Sequence, residues 1–503
     1  MLWPADGSWE RPVSCHRSPP QADDPESSDF AILYRFYCLR RLDMKLKFLG
    51  AAKTVTGSCF YIECNNMKIL VECGLYQGED AEQINKAAFG FTPSEIDYIF
   101  ITHAHLDHSG MLPKVVRDGF KGKIITTSAT RDLLEPMLFD SAHIQESDAE
   151  WLTRKLMRAC KPPAVPLYTI DDVKMVLPFF DVKPYAEIFH LGNGMKYRFL
   201  DAGHILGSGT LELWFQDSER EKKIVFSGDI GKKGNPILRD PFPPVEADYV
   251  VMESTYGNRL HKPLKESIDE LVNGIRTTFK KGGNVYIPAF AVGRTQDLLY
   301  ILNNLVKENR LDDIHVYLDS PLAEEATKVY LAHPECFDEE ALRFFSTRNF
   351  DDAIKLHFVE TVQESMSLNR IRSGIIVIAG SGMCEGGRIK HHLKHNLWRH
   401  ECSVIFVGFQ GKGTLGREIV DGAKIVEVLG EEIAVKASVY TINGFSAHAD
   451  RAELISWLSY FKGSPEVFVV HGEEEVAGSF GGLVKERFGF ETHVPEKGDV
   501  FEL

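Results

Sequence analysis

Thr102-His103-Ala104-His105-Leu106-Asp107-His108-Ser109-Gly110 puts three imidazoles and a carboxylate within six positions. These are nitrogen and oxygen donors of the kind Zn²⁺ prefers, and crowding groups that protonate together is costly unless a cation takes up their lone pairs. One mononuclear site would use His103 and His105 and leave Asp107 and His108 with nothing to hold. Four such residues therefore point to two ions.

The same design recurs outward from this run. Ile96 to Thr102 reads as a strand leading into His103, Met195 to Leu200 as one leading into His204, and Ile224 to Phe226 as one leading into Asp229. Tyr249 to Met252 delivers Glu253, and Val467 to Val470 delivers His471. Side chains at strand ends stand on a rigid frame and face a shared crevice, where positions can be held closely. From Met44 onward, short β-rich runs alternate with loops and helical patterns without a fixed-period repeat, which is the signature of a layered α/β protein.

Composition narrows the classes. The 503 residues suggest two to four domains at about 150 residues each. With 44% hydrophobic and 26% charged residues, most of the chain can bury a core. No apolar run approaches the roughly 18 to 20 residues that a membrane-spanning helix needs, so no membrane partner is expected. A net charge of -15 argues against coating nucleic acid through bulk positive charge, but a nuclease needs only a local basic or metal-lined groove. Nine cysteines without a C-x-x-C pair fit reduced thiols, hence a cytoplasmic location. Residues 1–43, with Pro4, Pro12, Pro19, Pro20 and Pro25 among Ser and Asp, read as a disordered N-terminal extension. Met44 is read as the start of the functional chain, with an upstream start or a tag accounting for the rest.

Between Glu253 and His448, strand, Gly-rich loop and helix repeat: Asn284 to Ile287 before Gly293-Arg294-Thr295, Ile314 to Leu318 before Asp319-Ser320-Pro321, Ile375 to Ala379 before Gly380 to Gly387, and Val404 to Val407 before Gly408 to Gly413. This is the pattern of an inserted parallel α/β domain. The loop Ser381-Gly382-Met383-Cys384-Glu385-Gly386-Gly387 opens onto Arg388, so its backbone N–H groups and the helix dipole could cradle a phosphate, with Arg294 and Lys412 adding charge. A tight turn is the plainer reading of the same loop. The run from Arg388 to His395 lacks an accompanying carboxylate or cysteine and is expected to be a solvated basic helix face.

H-x-H-x-D-H after a strand resembles the metal motif of the metallo-β-lactamase superfamily, and the order of the later motifs is similar to its β-CASP branch of nucleic-acid hydrolases, over Met44 to Leu503. The resemblance implies a metallo-β-lactamase αββα sandwich with an inserted parallel α/β β-CASP cap. Its expected parts are residues 44–257 and 444–503 for the sandwich and 258–443 for the cap. It further implies two Zn²⁺, the first held by His103, His105 and His204, the second by Asp107, His108 and His471, with Asp229 shared. Glu253 in Val251-Met252-Glu253-Ser254, His448 in Phe445-Ser446-Ala447-His448 and His471 in Val470-His471-Gly472 resemble motifs A, B and C. Ser446 is a further expected substrate contact. Where the family usually has Asp, this chain has Glu72, whose extra methylene moves the carboxylate by about 1.5 Å, and a supporting position behind the ligands is expected for it.

By the same resemblance the reaction is RNA phosphodiester hydrolysis by a two-metal-activated hydroxide. Asp107, Glu253 and His448 are the residues expected to carry it, with His448 giving a proton to the departing ribose oxygen or else positioning phosphate. His at motif C favours RNA over DNA, and the chain is most similar to short bacterial relatives of the endonuclease subunit of the pre-mRNA 3′-end cleavage machinery. RNA is the expected partner and a second copy of the chain a candidate one. Two other classes stay open: a hydrolase of a small thioester, lactam or phosphodiester, and an inactive RNA-binding scaffold.

Overall fold

The computed structural model describes residues 44–78, 80–217, 220–346, 350, 353–408, 410–411 and 413–503. The expected N-terminal extension and Lys412 lie outside the described residues. Two seven-stranded sheets form the larger part. The first joins β1 (Lys45–Phe48), β2 (Phe60–Cys64), β3 (Met67–Val71), β4 (Tyr98–Phe100), β5 (Lys123–Thr126) and β6 (Phe180–Val182), with the C-terminal β22 (Val500–Glu502) beside β1. The second runs β21-β20-β11-β10-β9-β8-β7, where β7 is Phe189–Gly192, β8 Met195–Asp201, β9 Gly209–Gln216, β10 Glu221–Phe226, β11 Tyr249–Glu253, β20 Glu466–Val470 and β21 Thr492–His493.

Alternating side chains dictate the layers, because successive residues of a strand point to opposite faces. Phe100, Val251, Phe468 and Val470 point into the space between the sheets and join Phe48, Phe60, Tyr197 and Phe226 there. Ring centroids lie 5.5 Å apart for Phe48 and Phe468 and 4.9 Å apart for Phe100 and Tyr197. The intervening residues turn outward: Ile99 and Ile101 pack under Leu112, Val115 and Leu133, while Val250, Met252, Val467 and Val469 pack under Leu454, Trp457 and Phe480. The result is the αββα sandwich expected above.

The cap is a six-stranded parallel sheet in the order β14-β13-β15-β12-β16-β19. Its strands are β12 (Val285–Pro288), β13 (His315–Asp319), β14 (Lys355–Phe358), β15 (Ile375–Ala379), β16 (Ser403–Phe406) and β19 (Ser438–Thr441). Helices cover both faces, which explains why every residue of β15 is buried: strands between two helical layers read as unbroken apolar runs. The polar edge strands β14 and β19 lack such a run, and the sequence pattern does not single them out. Ser320 caps the helix Pro321–Ala332, accepting from the Ala323 N–H as its position before Pro321 predicts.

One expectation is corrected here. The helix Arg388–Asn396 is not a solvated basic face along its whole length. His392 is fully buried and Arg388 half-buried, because Asp319, 73 positions away from His392, supplies the missing carboxylate. Asp319 accepts from His392 Nε2 at 2.6 Å, Arg388 Nη1 at 2.6 Å and Ser365 Oγ at 2.5 Å. Burial alone would raise its carboxyl, yet these donors hold it below the usual range. The stability this carboxylate adds is thus present above the ordinary carboxylate value of about 4 and is lost as pH falls through its lower folded value. Asp319→Asn leaves the half-buried Arg388 guanidinium and the buried His392 ring short of their anionic partner and should cost about 3 to 5 kcal/mol by urea denaturation at pH 7. The gap between variant and wild type should close on acidification below about pH 4.

Candidate metal centre

The metal-type side chains meet at one edge of the sandwich. After β4 the chain passes through buried His103 and then into the one-turn helix Leu106–Ser109, which carries Asp107 and His108. The turn after β3 clamps this segment through Cys73 N–H to the His108 carbonyl and Leu75 N–H to the Leu106 carbonyl, each at 2.8 Å. Gly74 permits that approach, since a Cβ there would stand 1.8 Å from the Asp107 carbonyl oxygen. Gly231 does the same on the other side: a Cβ on it would lie 1.9 Å from the carbonyl of Gly203, and so it lets the Asp229 loop close on the His204 loop.

Two donor groups result. In the first, His103 Nε2 and His105 Nδ1 stand 3.1 Å apart, and His204 Nε2 and His105 Nδ1 stand 3.3 Å apart. Asp229 Oδ2 is 3.4 Å from His103 Nε2 and 3.5 Å from His204 Nε2. In the second, His108 Nε2 is 3.2 Å from His471 Nε2 and 3.8 Å from Asp107 Oδ2, while His471 Nε2 is 3.4 Å from Asp107 Oδ2. Asp229 turns its other oxygen, Oδ1, to this group, 3.4 Å from His108 Nε2. One carboxylate thus divides its two oxygens between the two groups.

These spacings fit a cation. Nitrogen and oxygen donors held 2.0 to 2.1 Å from a tetrahedral zinc stand about 3.3 to 3.4 Å from one another. Asp229 Oδ1 is buried without a hydrogen-bond donor among the described residues, which a negative oxygen tolerates poorly unless a positive charge faces it. Burial, with neighbouring imidazoles adding to it, holds the His103 ring down at about 3; burial also lowers His105 to about 4 and leaves His204 well below its ordinary value. Those three rings are neutral and keep lone pairs to give. Far nitrogens are fixed by threonines, Thr102 Oγ1 lying 3.1 Å from His103 Nδ1 and Thr255 Oγ1 3.0 Å from His471 Nδ1. At His108 burial opposes the proton, but Asp229, Asp107 and Glu72 outweigh it and raise the ring to about 10 when no cation shares the site. Burial would raise Asp107, whereas His108 and His471 hold it below its usual range.

Glu72 lies behind the second group. It is buried, accepts from the Thr102 N–H at 3.2 Å and stands 3.7 Å from His108 Nδ1. Glu253, at the end of β11, accepts from the Ile230 N–H at 2.6 Å and from His448 Nδ1 at 3.2 Å. That pairing leaves His448 Nε2 as the ring nitrogen available to a substrate, and the side chain is one-fifth exposed. Burial works against protonation of His448, yet Glu253 and Asp229 raise its value to about 9.

The expected substrate contacts are placed less uniformly. Arg294 is buried, with Nη1 bound to Asp297 Oδ2 at 3.0 Å. Ser446 is buried beside Tyr256. The loop after β15 is partly tied to itself: Ser381 N–H donates to the Gly386 carbonyl at 3.1 Å, and Ser381 Oγ accepts from the Gly386 N–H at 3.2 Å. The carbonyls of Gly382 and Met383 accept from Gln410 Nε2 and the Gly416 N–H.

Three supporting residues escaped the sequence reading. Besides Thr255, His261 Nε2 donates to the His448 carbonyl at 3.2 Å, and Lys232 Nζ donates to the Gly444 carbonyl at 2.5 Å, so both hold the loop that bears His448. Burial, followed by the charge of Arg294, brings Lys232 down to about 8. A lone hydroxyl, imidazole or ammonium carries no spacing signal that marks such a role.

Three family models match successive stretches of the chain. Residues 52–273 match the metallo-beta-lactamase superfamily, 295–419 the Beta-Casp domain, and 432–495 the Zn-dependent metallo-hydrolase RNA specificity domain. Ribonuclease TTHA0252 of Thermus thermophilus is 38% identical over 88% of this chain and 96% of its own length. Transcription termination factor FttA of Pyrococcus abyssi is 31% identical over 92% of this chain and 71% of its own. In fold, the chain is similar to the crystal structure of a protein of unknown function from Enterococcus faecalis, with a TM-score of 0.52 at 12% identity, covering 92% of this chain and all of that one.

Donors that converge this closely should make stability depend on metal. Stripping the protein with a chelator and restoring zinc at about a thousand times its dissociation constant should raise stability by about 4 kcal/mol, read as a rise in melting temperature. Asp229→Asn, which removes one charged oxygen, should recover clearly less.

Proposed function

This chain belongs to the metallo-β-lactamase superfamily, in the RNA-processing branch that carries a Beta-Casp domain, and from that premise we propose that it is a two-zinc endoribonuclease. The observation that carries the reading is the division of Asp229 between two donor groups. His103, His105, His204 and Asp229 would hold one ion, and Asp107, His108, His471 and Asp229 the other. Two zinc ions bound there would supply a water acidic enough to attack at neutral pH and positive charge for the phosphoryl oxygens.

The protein's own groups do the rest. Glu253 fixes the His448 ring through Nδ1, so Nε2–H is aimed outward as a donor to the departing ribose oxygen. Backbone contacts prevent that donor from drifting: the Ala449 N–H binds the Ile230 carbonyl at 2.7 Å, and His261 holds the His448 carbonyl. Asp107, whose side chain is one-fifth exposed, stands at the mouth of the site, where it can orient the attacking water as well as ligate. The Ser381–Gly387 loop of the cap is assigned to the RNA phosphates through backbone N–H groups outside its Ser381–Gly386 pair, while Arg294 stays bound to Asp297.

Circular RNA tests the endonucleolytic reading, because it has no end to degrade. Zinc-loaded protein should linearise it and leave matched circular single-stranded DNA intact. His448→Ala should slow turnover by about 10² to 10⁴-fold with metal content unchanged, whereas Asp229→Ala should lower metal content and rate together. Undiminished cleavage by the His448 variant would remove the proton-donor assignment, and RNA resistant to every metal-loaded preparation would remove the ribonuclease reading.

A further inference from the structure

Neighbouring cap strands β12 and β15 send the chain in opposite directions. From β12 it goes to β13, beyond β15; from β15 it goes to β16, beyond β12. Diverging connections of this kind leave a crevice at the carboxyl ends of parallel strands, where open sheets take their ligands. Phe290, from the loop after β12, meets the Ser381–Gly387 loop there. A Cβ on Gly382 would stand 2.8 Å from the Phe290 ring, and one on Gly408 at 4.0 Å. Two glycines therefore bring bare backbone against one side of the ring, and Phe290 is still 43% exposed.

The ring stands on a fixed mount. Ala289 N–H donates to the Ala379 carbonyl at 3.1 Å, and Thr295 Oγ1 donates to the Phe290 carbonyl at 2.8 Å. Gly293, three residues on with φ 82°, lies against Ile205, which follows His204. One short loop thus touches the Ser381–Gly387 loop at one end and the metal-bearing edge at the other.

We propose that Phe290 is a stacking platform on which one nucleobase of the RNA lies while the neighbouring phosphate rests on the Ser381–Gly387 loop. The proposal rests on the ribonuclease reading above. Stacking is tolerant of sequence because every base has a π-face, so the contact sets affinity and the register of the strand, not base identity. A single exposed ring is ordinary on a protein surface. What marks this one is its rigid seat between a candidate phosphate loop and the metal centre.

The test uses the full-length zinc-loaded protein and a short RNA in which 2-aminopurine replaces each nucleotide in turn. At one position next to the cleavage site, wild-type protein should quench the probe, and Phe290→Ala should not. Phe290→Ala should weaken RNA binding about 5- to 150-fold, the range that loss of one stacked base covers. Metal content should stay unchanged, and Phe290→Tyr should restore affinity to within a small factor. An abasic nucleotide at the quenched position should weaken binding to the wild type but cost Phe290→Ala little more, because the two changes remove the same contact. Equal RNA affinity of Phe290→Ala and wild type, or a full abasic penalty in Phe290→Ala, overturns the stacking platform alone. Wild-type protein that leaves RNA intact overturns the ribonuclease reading and the platform with it.

Discussion

The carboxylate of Asp229 is the constraint around which the site is arranged. A buried anion is costly unless positive charge or donors surround it, and this one faces imidazole nitrogens on both sides at 3.4 Å. Histidines from separate loops converge on it, and its charge is among those that favour the proton on His108. The three neutral rings and the carboxylates together make a donor set of the kind divalent cations take.

Holding that shell requires a frame stiffer than a loop. His103, Asp229, Glu253 and His471 lie at or just beyond the ends of strands whose other residues are locked between two sheets and two helical layers. β11 and β20 pair in parallel from Tyr249 with Glu466 to Glu253 with Val470, so motif A and the residue before motif C arrive side by side. This pairing explains how residues more than two hundred positions apart reach one point. The core cluster that includes Ile205 and Leu206 continues into Val292 and Tyr330 of the cap, so the cap loops are seated against the metal-bearing edge.

The Thr102–Gly110 donor cluster and the layered fold were legible in the sequence because both rest on local patterns: imidazoles at close spacing, and apolar runs ending at polar residues. What escaped depends on partners brought together only by folding. The Arg388 to His395 run looked solvated because Asp319 is distant in sequence, and the edge strands β14 and β19 were invisible because one-sided burial leaves no unbroken apolar run. His261, Lys232 and Thr255 act through backbone and ring atoms of other loops, which no spacing reveals. Glu72, by contrast, could be read as a departure from the family pattern, and it is buried beside His108.

Anomalous diffraction from crystals of the zinc-loaded protein, recorded on either side of the zinc absorption edge, tests the central claim most directly. The account predicts two peaks, one beside Asp229 Oδ2 among His103, His105 and His204, the other beside Oδ1 among Asp107, His108 and His471. A single peak, or Asp229 turned away from both groups in protein that cleaves RNA, would contradict it.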